Sequence, residues 1–520
     1  GAPTSAVVSI AQARTTSPRI AIETPKLRGS INLKGARIDD LVLLGYRQTV
    51  ERNAPPVQFF APGGTAHAYF AGVGWSGAGL NAPTADTLWT APAGAKLTPT
   101  TSVTLTHDNG VGQIFTITLS IDANYMFTAR QSVTNSGASP VAVKPYSYLT
   151  RARAPSPDPD SWTINTGAMG VFGGTATWFD QDEIDEAPGA ALTNATRGGW
   201  LGFTDQFWLG AIIPDQSANV ATSFRKGAGS LYQADYADTE AVLGSGQART
   251  TTTRIFAGAK ETALLDAYTE GATGAPSIPY LDRATDWGWF WFIAKPIFYL
   301  LDGIFGLLKN FGFAIMALTL LIRLVMFPIA QKQFASMAQM RVVQPKLKAL
   351  QEKYADDKPR LQQEMMALYK TEKINPLAGC LPILVQIPIF YSLYKCLMLT
   401  VEMRHQPFIL WIRDLSAPDP ASLVTLGALW DVPIPAFLGL GVLAVLLGIS
   451  MWAQFRLNPP AADPVQQQVF AIMPWMLMFI MAPFAAGLLL YWITNNVLTM
   501  SQQRLLYSRY PAMKQAMAVK

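Results

Sequence analysis

FGFAIMALTLLIRLVMFPIA, residues 311–330, is an apolar run whose single charge is Arg323. A run of this length crosses a bilayer as a helix. A cation at the centre of a lone spanning helix costs about 2.5–3.5 kcal/mol on insertion scales. An arginine kept there points at a polar cavity, a counter-ion or a substrate. The simpler alternative is snorkelling, in which a long side chain reaches the interface from near a helix end. Arg323 lies seven residues before Ala330, about 10 Å along a helix, which is deep for snorkelling and favours the cavity.

The remaining apolar runs lie C-terminal to residue 287. Only 14% of the 520 residues are charged, against about 25% in a soluble domain. The net charge of +5 is mild, and its distribution says more than its size. The two cysteines, Cys380 and Cys396, fall in one expected helix, about 24 Å apart along its axis, and cannot bridge there. Their absence from the first 270 residues leaves the redox compartment undetermined.

Residues 1–18 are rich in Ser, Thr and Ala and are expected to be a disordered linker. From Arg19 short strands dominate. ITLSI (117–121) alternates apolar and polar residues, and Asp108-Asn109-Gly110 is a hairpin turn between TSVTLTH and GQIFTITLS. Residues 19–270 are expected to form an antiparallel β-sandwich, closing on a short helix over 261–270. GATGAPSIP opens a linker, 271–286. A secreted domain ahead of spans needs a targeting signal. None is visible from Gly1, so a preceding segment is expected.

WGWFWFIAKPIFYLLDGIFGLLKN (287–310) is aromatic-rich, carries Lys295, Asp302 and Lys309, and is interrupted by Pro296. It is expected to be an amphipathic interfacial helix. Spans are expected at 311–330, 378–399 and 436–455. The last apolar region, 469–503, is about 52 Å long as one helix and divides into two spans near Pro483 and Gly487, giving a core of five spans over 311–503. The segment 331–377 has nine Lys/Arg against five acids, the tail 504–520 four and none, and the loop 401–434 two against four. The positive-inside rule then puts 331–377 and the C-terminal tail in the cytoplasm and residues 1–286 on the outer side of a multi-pass membrane protein.

Within 331–377, helical periodicity runs through Met337, Met340, Leu347 and Leu350, then Leu361, Met365 and Leu368. Asp356 to Pro359 breaks it, and Pro345 further limits continuity, which predicts a helical hairpin. A Met-rich basic hairpin suits docking as well as it suits a plain connector.

Polar residues recur inside the expected spans. Thr319 precedes Arg323 by one turn on the same face. Gln386 lies in the second span. Tyr491, Trp492, Thr494, Asn495 and Asn496 cluster in the last. For Gln386 alone, interhelical hydrogen bonding is a sufficient account. Arg323 with the Thr-Asn-Asn run indicates a shared hydrophilic cavity. The spans hold no acid, which weighs against a proton-coupled transporter. No Gly-rich loop with Lys-Ser/Thr is present. Neither an enzyme activity nor a cofactor or metal is expected.

KINPLAGCLPILVQIPIFYSLYK (373–395) closely resembles the YidC membrane protein insertase family. So do RVVQPKLKALQEKYADDKPRLQQEMMALYK (341–370), VEMRHQPFILWIRDLSAPDP (401–420) and GLLLYWITNN (487–496). RGGWLGFTDQFWLGAIIPD (197–215) and WGWFWFIAKPIFYLL are similar to the family's outer domain and its amphipathic helix. The resemblance implies a five-helix core with a groove open to cytoplasm and lipid, and a periplasmic sandwich. It also implies a further N-terminal signal-anchor span. Arg323 matches the groove arginine, and Thr319 and Trp492 match positions that meet the substrate helix; at 492 the family more often has Tyr. The implied function is insertion and folding of nascent inner-membrane proteins, alone or with the Sec translocon. The implied partners are membrane lipid, the ribosome, and signal-recognition particle or its receptor, without direct nucleic-acid recognition.

Two rival readings remain from the residues alone. A transporter or channel with a periplasmic carbohydrate-binding domain requires repeated pore-lining charges or inverted repeats, and neither is evident. A sugar-processing enzyme requires a paired-carboxylate site, and none can be read in the outer domain.

Overall fold

The computed structural model describes residues 8–152, 165–187, 189, 191–227, 230–274, 276–354, 357–372, 381–421, 440–457 and 464–507. The chain divides into two compact units, Gly1–Asp286 and Trp287–Lys520.

The first unit is a β-sandwich. Among its described residues, one sheet has eleven strands and the other eight. The strand Gln113–Ile121 shows why. Its burial alternates along its whole length, which places Phe115, Ile117 and Leu119 in the core and threonines outside. It pairs antiparallel with Val103–Asp108 through the expected turn, where the amide of Asn109 donates to the Gln113 carbonyl at 3.2 Å. The motif 197–215 is a second hairpin. Gly198 and Gly199 take φ of 62° and 78°, a left-handed pair that L side chains resist. They turn the chain into Trp200–Thr204, which pairs with Trp208–Ile213. Phe203 meets Tyr69 and Phe224 of the other sheet, with centroids 6.4 and 6.2 Å apart, while Phe256 on the opposite face meets Tyr268.

Two expectations for this unit are corrected. Residues 1–18 are not wholly a linker: Ile10–Arg14 form helix α1, capped by the Ser9 hydroxyl. Arg14 pairs with Asp40 at 2.5 Å, which ties that segment to the sheet. Nor is 271–286 a free linker. Ile278 and Leu281 are fully buried, and the buried Lys260 ammonium donates to the Ala284 carbonyl at 3.2 Å. A buried ammonium needs such acceptors, so this segment completes the sandwich. Two further helices, α2 (Gln181–Glu186) and α3 (Thr262–Glu270), lie in the same unit.

The second unit is helical: α4 (Trp291–Leu308), α5 (Phe311–Val325), α6 (Phe327–Lys353), α7 (Lys358–Thr371), α8 (Leu381–Leu399), α9 (Val442–Leu457), α10 (Pro464–Met481) and α11 (Ala486–Tyr507). The stretch 469–503 divides between α10 and α11, with Pro483 in the turn. α4 runs unbroken through Pro296, close enough to its start that one backbone bond is affected. It buries Ala294, Ile297, Phe298 and Leu301 on one stripe and exposes Trp291, Phe292, Leu300 and Leu307. Among the described residues it alone has the length and apolar composition to cross a membrane, while α5, α9 and the described parts of α8 and α10 are shorter apolar helices.

The run 311–330 is not one helix. α5 ends at Val325, Met326 is shared as its C-cap and the N-cap of α6, and Pro328 sits in the first turn of α6. Arg323 therefore lies in the last turn of α5, not in the middle of a long helix. A cation there complements the helix dipole.

α6 and α7 form a hairpin. Val343 and Leu347 pack on Met365, Leu368 and Tyr369, and Lys346 pairs with Glu372 at 2.6 Å. Pro345 lies inside α6 without ending it. The Asp357 side chain caps α7, accepting from the Arg360 amide at 3.1 Å. Asp356, Cys380 and the tail beyond Tyr507 lie outside the described residues, as do the first residues of the expected spans 378–399 and 436–455.

Candidate functional site

The segment 400–421 fastens one end of the helical unit. The Asn310 side chain, N-cap of α5, donates to the Phe408 carbonyl at 3.2 Å. Asp419 accepts from the Trp411 indole at 2.9 Å and from the Leu443 amide at 2.8 Å, capping α9. The amides of Ala486 and Gly487, opening α11, donate to the carbonyls of Ala417 and Leu415 at 2.8 and 2.9 Å. Acidic and backbone acceptors thus satisfy the otherwise unpaired donors of helix N-termini.

Polar side chains gather away from that fastening. Tyr491, Asn495 and Thr499 follow each other at four-residue spacing on α11, so they share a face. The Arg323 Nε donates to the Asn495 Oδ1 at 2.9 Å, and its Nη2 donates to the Thr499 Oγ1 at 2.6 Å. Thr499 passes its own proton to the Asn495 carbonyl at 2.6 Å. The planar guanidinium spans two acceptors one helical turn apart. Among the described residues no carboxylate pairs with Arg323; both oxygens holding it are neutral.

One turn earlier, the Tyr491 hydroxyl accepts from the Gln386 amide of α8. Tyr491 is buried and Gln386 half-buried. Asn496 points toward α9 instead, donating to the Ser450 hydroxyl at 3.0 Å. The half-buried Trp492 meets Phe390 edge-on, with centroids 5.1 Å apart. Thr494 is half-buried and takes no part in holding Arg323. Thr319 is 1% exposed and donates to the Ile315 carbonyl at 2.6 Å, so its hydroxyl is satisfied within α5.

The eight residues singled out from sequence therefore separate. Arg323 and Asn495 meet directly, Gln386 and Tyr491 form a second pair, and Asn496, Trp492, Thr494 and Thr319 lie around them. Thr499 and Ser450 were missed. The four-residue repeat Tyr491, Asn495, Thr499 is the signal that reaches Thr499; Ser450 carries no such signal.

Similarity to known proteins runs the length of both units. Residues 19–300 match the YidC periplasmic domain model, and residues 303–514 match the model of the 60Kd inner membrane protein. The membrane protein insertase YidC of Zymomonas mobilis is 46% identical over 496 residues, covering 95% of this chain and 85% of that protein. That of Sinorhizobium fredii is 45% identical over 506 residues, covering 96% and 84%. The chain belongs to the YidC family of membrane protein insertases. Among solved structures, an active YidC insertase with its first transmembrane domain resolved aligns at a TM-score of 0.39 and 18% identity, covering 95% of this chain and 93% of that one. In YidC-family terms, the β-sandwich is the periplasmic domain and the helical unit is the inner-membrane part.

Proposed function

We propose that this chain inserts nascent inner-membrane proteins by lending them a polar foothold between α5 and α11. The observation that carries the reading is that, among the described residues, Arg323 is held by the neutral oxygens of Asn495 and Thr499 and by no carboxylate. A polar tail crossing an apolar slab meets a large desolvation barrier. A hydrated recess reaching partway shortens that path, and an arginine held by neutral oxygens attracts acidic residues of the tail. The incoming apolar segment then slides past Trp492 and Phe390 toward lipid. Gln386 and Tyr491 line the inner end of the recess, with Thr494 and Asn496 beside it. Buried Thr319 keeps α5 close to α11. Partitioning into lipid and the membrane potential, about 2.3 kcal/mol per charge per 100 mV, move the client without a cofactor or a covalent step.

In this reading α8, α9, α10 and α11 are four of five spans, and α5 with the start of α6 is the other. Helix α4 lies at the interface, its buried stripe on the bundle and its exposed aromatics in the headgroup layer. The hairpin α6–α7 and the C-terminal tail are cytoplasmic, on the strength of their basic residues. They receive the ribosome and signal-recognition particle or its receptor, and the core works alone or beside the Sec translocon. The fastening by 400–421 then closes the periplasmic end.

Site-specific crosslinking tests the path. A photoreactive residue at 492 should capture a stalled nascent membrane protein, and one at Val445 on α9 should not. Equal capture at both positions, or capture at neither, would sink the proposal.

A further inference from the structure

The periplasmic sandwich carries a cleft of its own, lined by residues of the first unit. Strands Tyr69–Ser76 and Val141–Ala152 pair antiparallel, with Tyr148 opposite Gly72 and Tyr146 opposite Gly74. Each tyrosine lies down over its glycine. A Cβ on Gly72 would meet the Tyr148 hydroxyl oxygen, Cζ and Cε1 at 2.6, 2.7 and 2.9 Å, and one on Gly74 would meet the Tyr146 hydroxyl oxygen at 2.5 Å. The near-equal distances place the phenol end flat against the sheet. The alternating glycines of YFAGVGWS thus create an aromatic floor, two rings with centroids 6.1 Å apart.

A cavity of about 580 Å³ opens over that floor, within the ~300–1,000 Å³ range of small-ligand sites. Planar polar groups rim it. The Arg37 Nε donates to the Tyr148 hydroxyl at 3.3 Å, and its guanidinium stacks 5.0 Å from the Phe70 centroid. Arg225 grips the buried Asp235 through two bonds of 2.7 and 2.5 Å, and Gln233 donates to the same carboxylate at 2.9 Å. Lys144 completes the rim, so three cations face one carboxylate.

We propose that this cleft binds a saccharide of at least two pyranose rings, with a carboxylated sugar preferred. Flat ring faces suit the C–H faces of pyranoses. Fixed guanidinium and amide forks suit vicinal hydroxyls, because their donors are held in one plane before the ligand arrives. The surplus of Arg37 and Lys144 favours a carboxylate. A peptide is a poorer fit. Val141–Ala152 and Leu231–Asp238 beneath the cleft are paired on both sides, so neither offers an edge for strand addition.

The test uses the full chain in lipid nanodiscs, since maltoside detergents carry the proposed ligand chemistry. Trigalacturonate, chitotriose and penta-glutamate are titrated by calorimetry. Saturable trigalacturonate binding, weaker binding of chitotriose and none of penta-glutamate are expected. Tyr148→Ala should weaken trigalacturonate about tenfold or more. Gly72→Val should do the same by lifting the Tyr148 ring off the sheet. Arg37→Ala should narrow the difference between the two sugars, and an unchanged unfolding midpoint shows that each variant is folded. Absence of sugar binding, equal binding of penta-glutamate, or wild-type affinity in a folded Tyr148→Ala would overturn the proposal.

Discussion

Arg323 and Asn495, 172 positions apart in sequence, are joined by a 2.9 Å hydrogen bond between α5 and α11. With Thr499 as the second acceptor, two donors of the cation are held by protein oxygens among the described residues. Arg323→Ala should lower insertion of acidic-tailed clients about tenfold, equivalent to ~1.4 kcal/mol. Arg323→Lys keeps the charge and loses the fork, so its loss should be about two- to threefold, or ~0.5 kcal/mol. Thr499→Val should resemble Lys, with recovery in Thr499→Ser. Pulse-labelled insertion assays on clients with acidic and neutral tails check this. Equal losses on both client types would remove the electrostatic role.

Deleting residues 19–286 should leave insertion by the helical unit within about twofold of the full chain. The unit boundary falls at Asp286, and the polar side chains around Arg323 all belong to the second unit. The cut should not fall at residue 270, because Ile278 and Leu281 belong to the sandwich core. A stably expressed deletion without activity would show that the sandwich contributes directly.

The hairpin α6–α7 should exchange its amides faster than the fastened end of the bundle. Its two helices meet in a small apolar cluster and through a surface ion pair, and surface pairs add little. Hydrogen exchange should be fast around Asp357 and slow around Leu393, which is fully buried. Leu347→Ala should loosen the hairpin by about 2–5 kcal/mol and cut insertion without shifting exchange at Leu393. Equal protection of both regions would leave the hairpin a rigid connector.

Stability should fall below neutral pH through His405. Burial, and then the neighbouring Arg404 charge, depress its pKa below the ordinary histidine value, against the opposing pull of Asp414. The unfolded chain then binds the proton more readily. The contribution is fully present above about pH 6.5 and is lost as pH falls through that value toward the folded pKa. Unfolding midpoints at pH 7.5 and 5.5 should differ more in the wild type than in His405→Asn. An identical pH dependence in the two proteins would exclude it.

The sequence and the structure part company in particular places. The sandwich is legible because alternation in stretches such as 113–121 matches strand periodicity. Arg323 and Asn495 are legible because a charge or an amide in an apolar run is costly and needs a reason. Thr499 is legible only through its four-residue spacing from Asn495 and Tyr491, since a lone threonine is ordinary in a packed helix and acquires its role only when Arg323 arrives from α5. The break at Met326 is hidden in a run apolar on both sides, and only Pro328 hints at it. Pro296 and Pro345 mislead in the other direction, because a proline exposed on a helix surface can be accommodated where packing holds the flanking turns. The linker 271–286 looks free because Gly and Pro mask two core residues.

The fastening by 400–421 makes the bundle a lever. Three helices are pinned at one end by Asn310, Asp419 and the carbonyls of Leu415 and Ala417. Arg323 stands twelve residues from the start of α5, an arm of about 18 Å. A tilt of about 10° around the pinned end displaces its backbone by ~3 Å, as far as the length of the bond to Asn495. A rotation of that size parts Arg323 from Asn495 and leaves the contacts at the pinned end in place. In the proposed insertion reading, a chain then enters from one side only, and the pinned end keeps the membrane sealed.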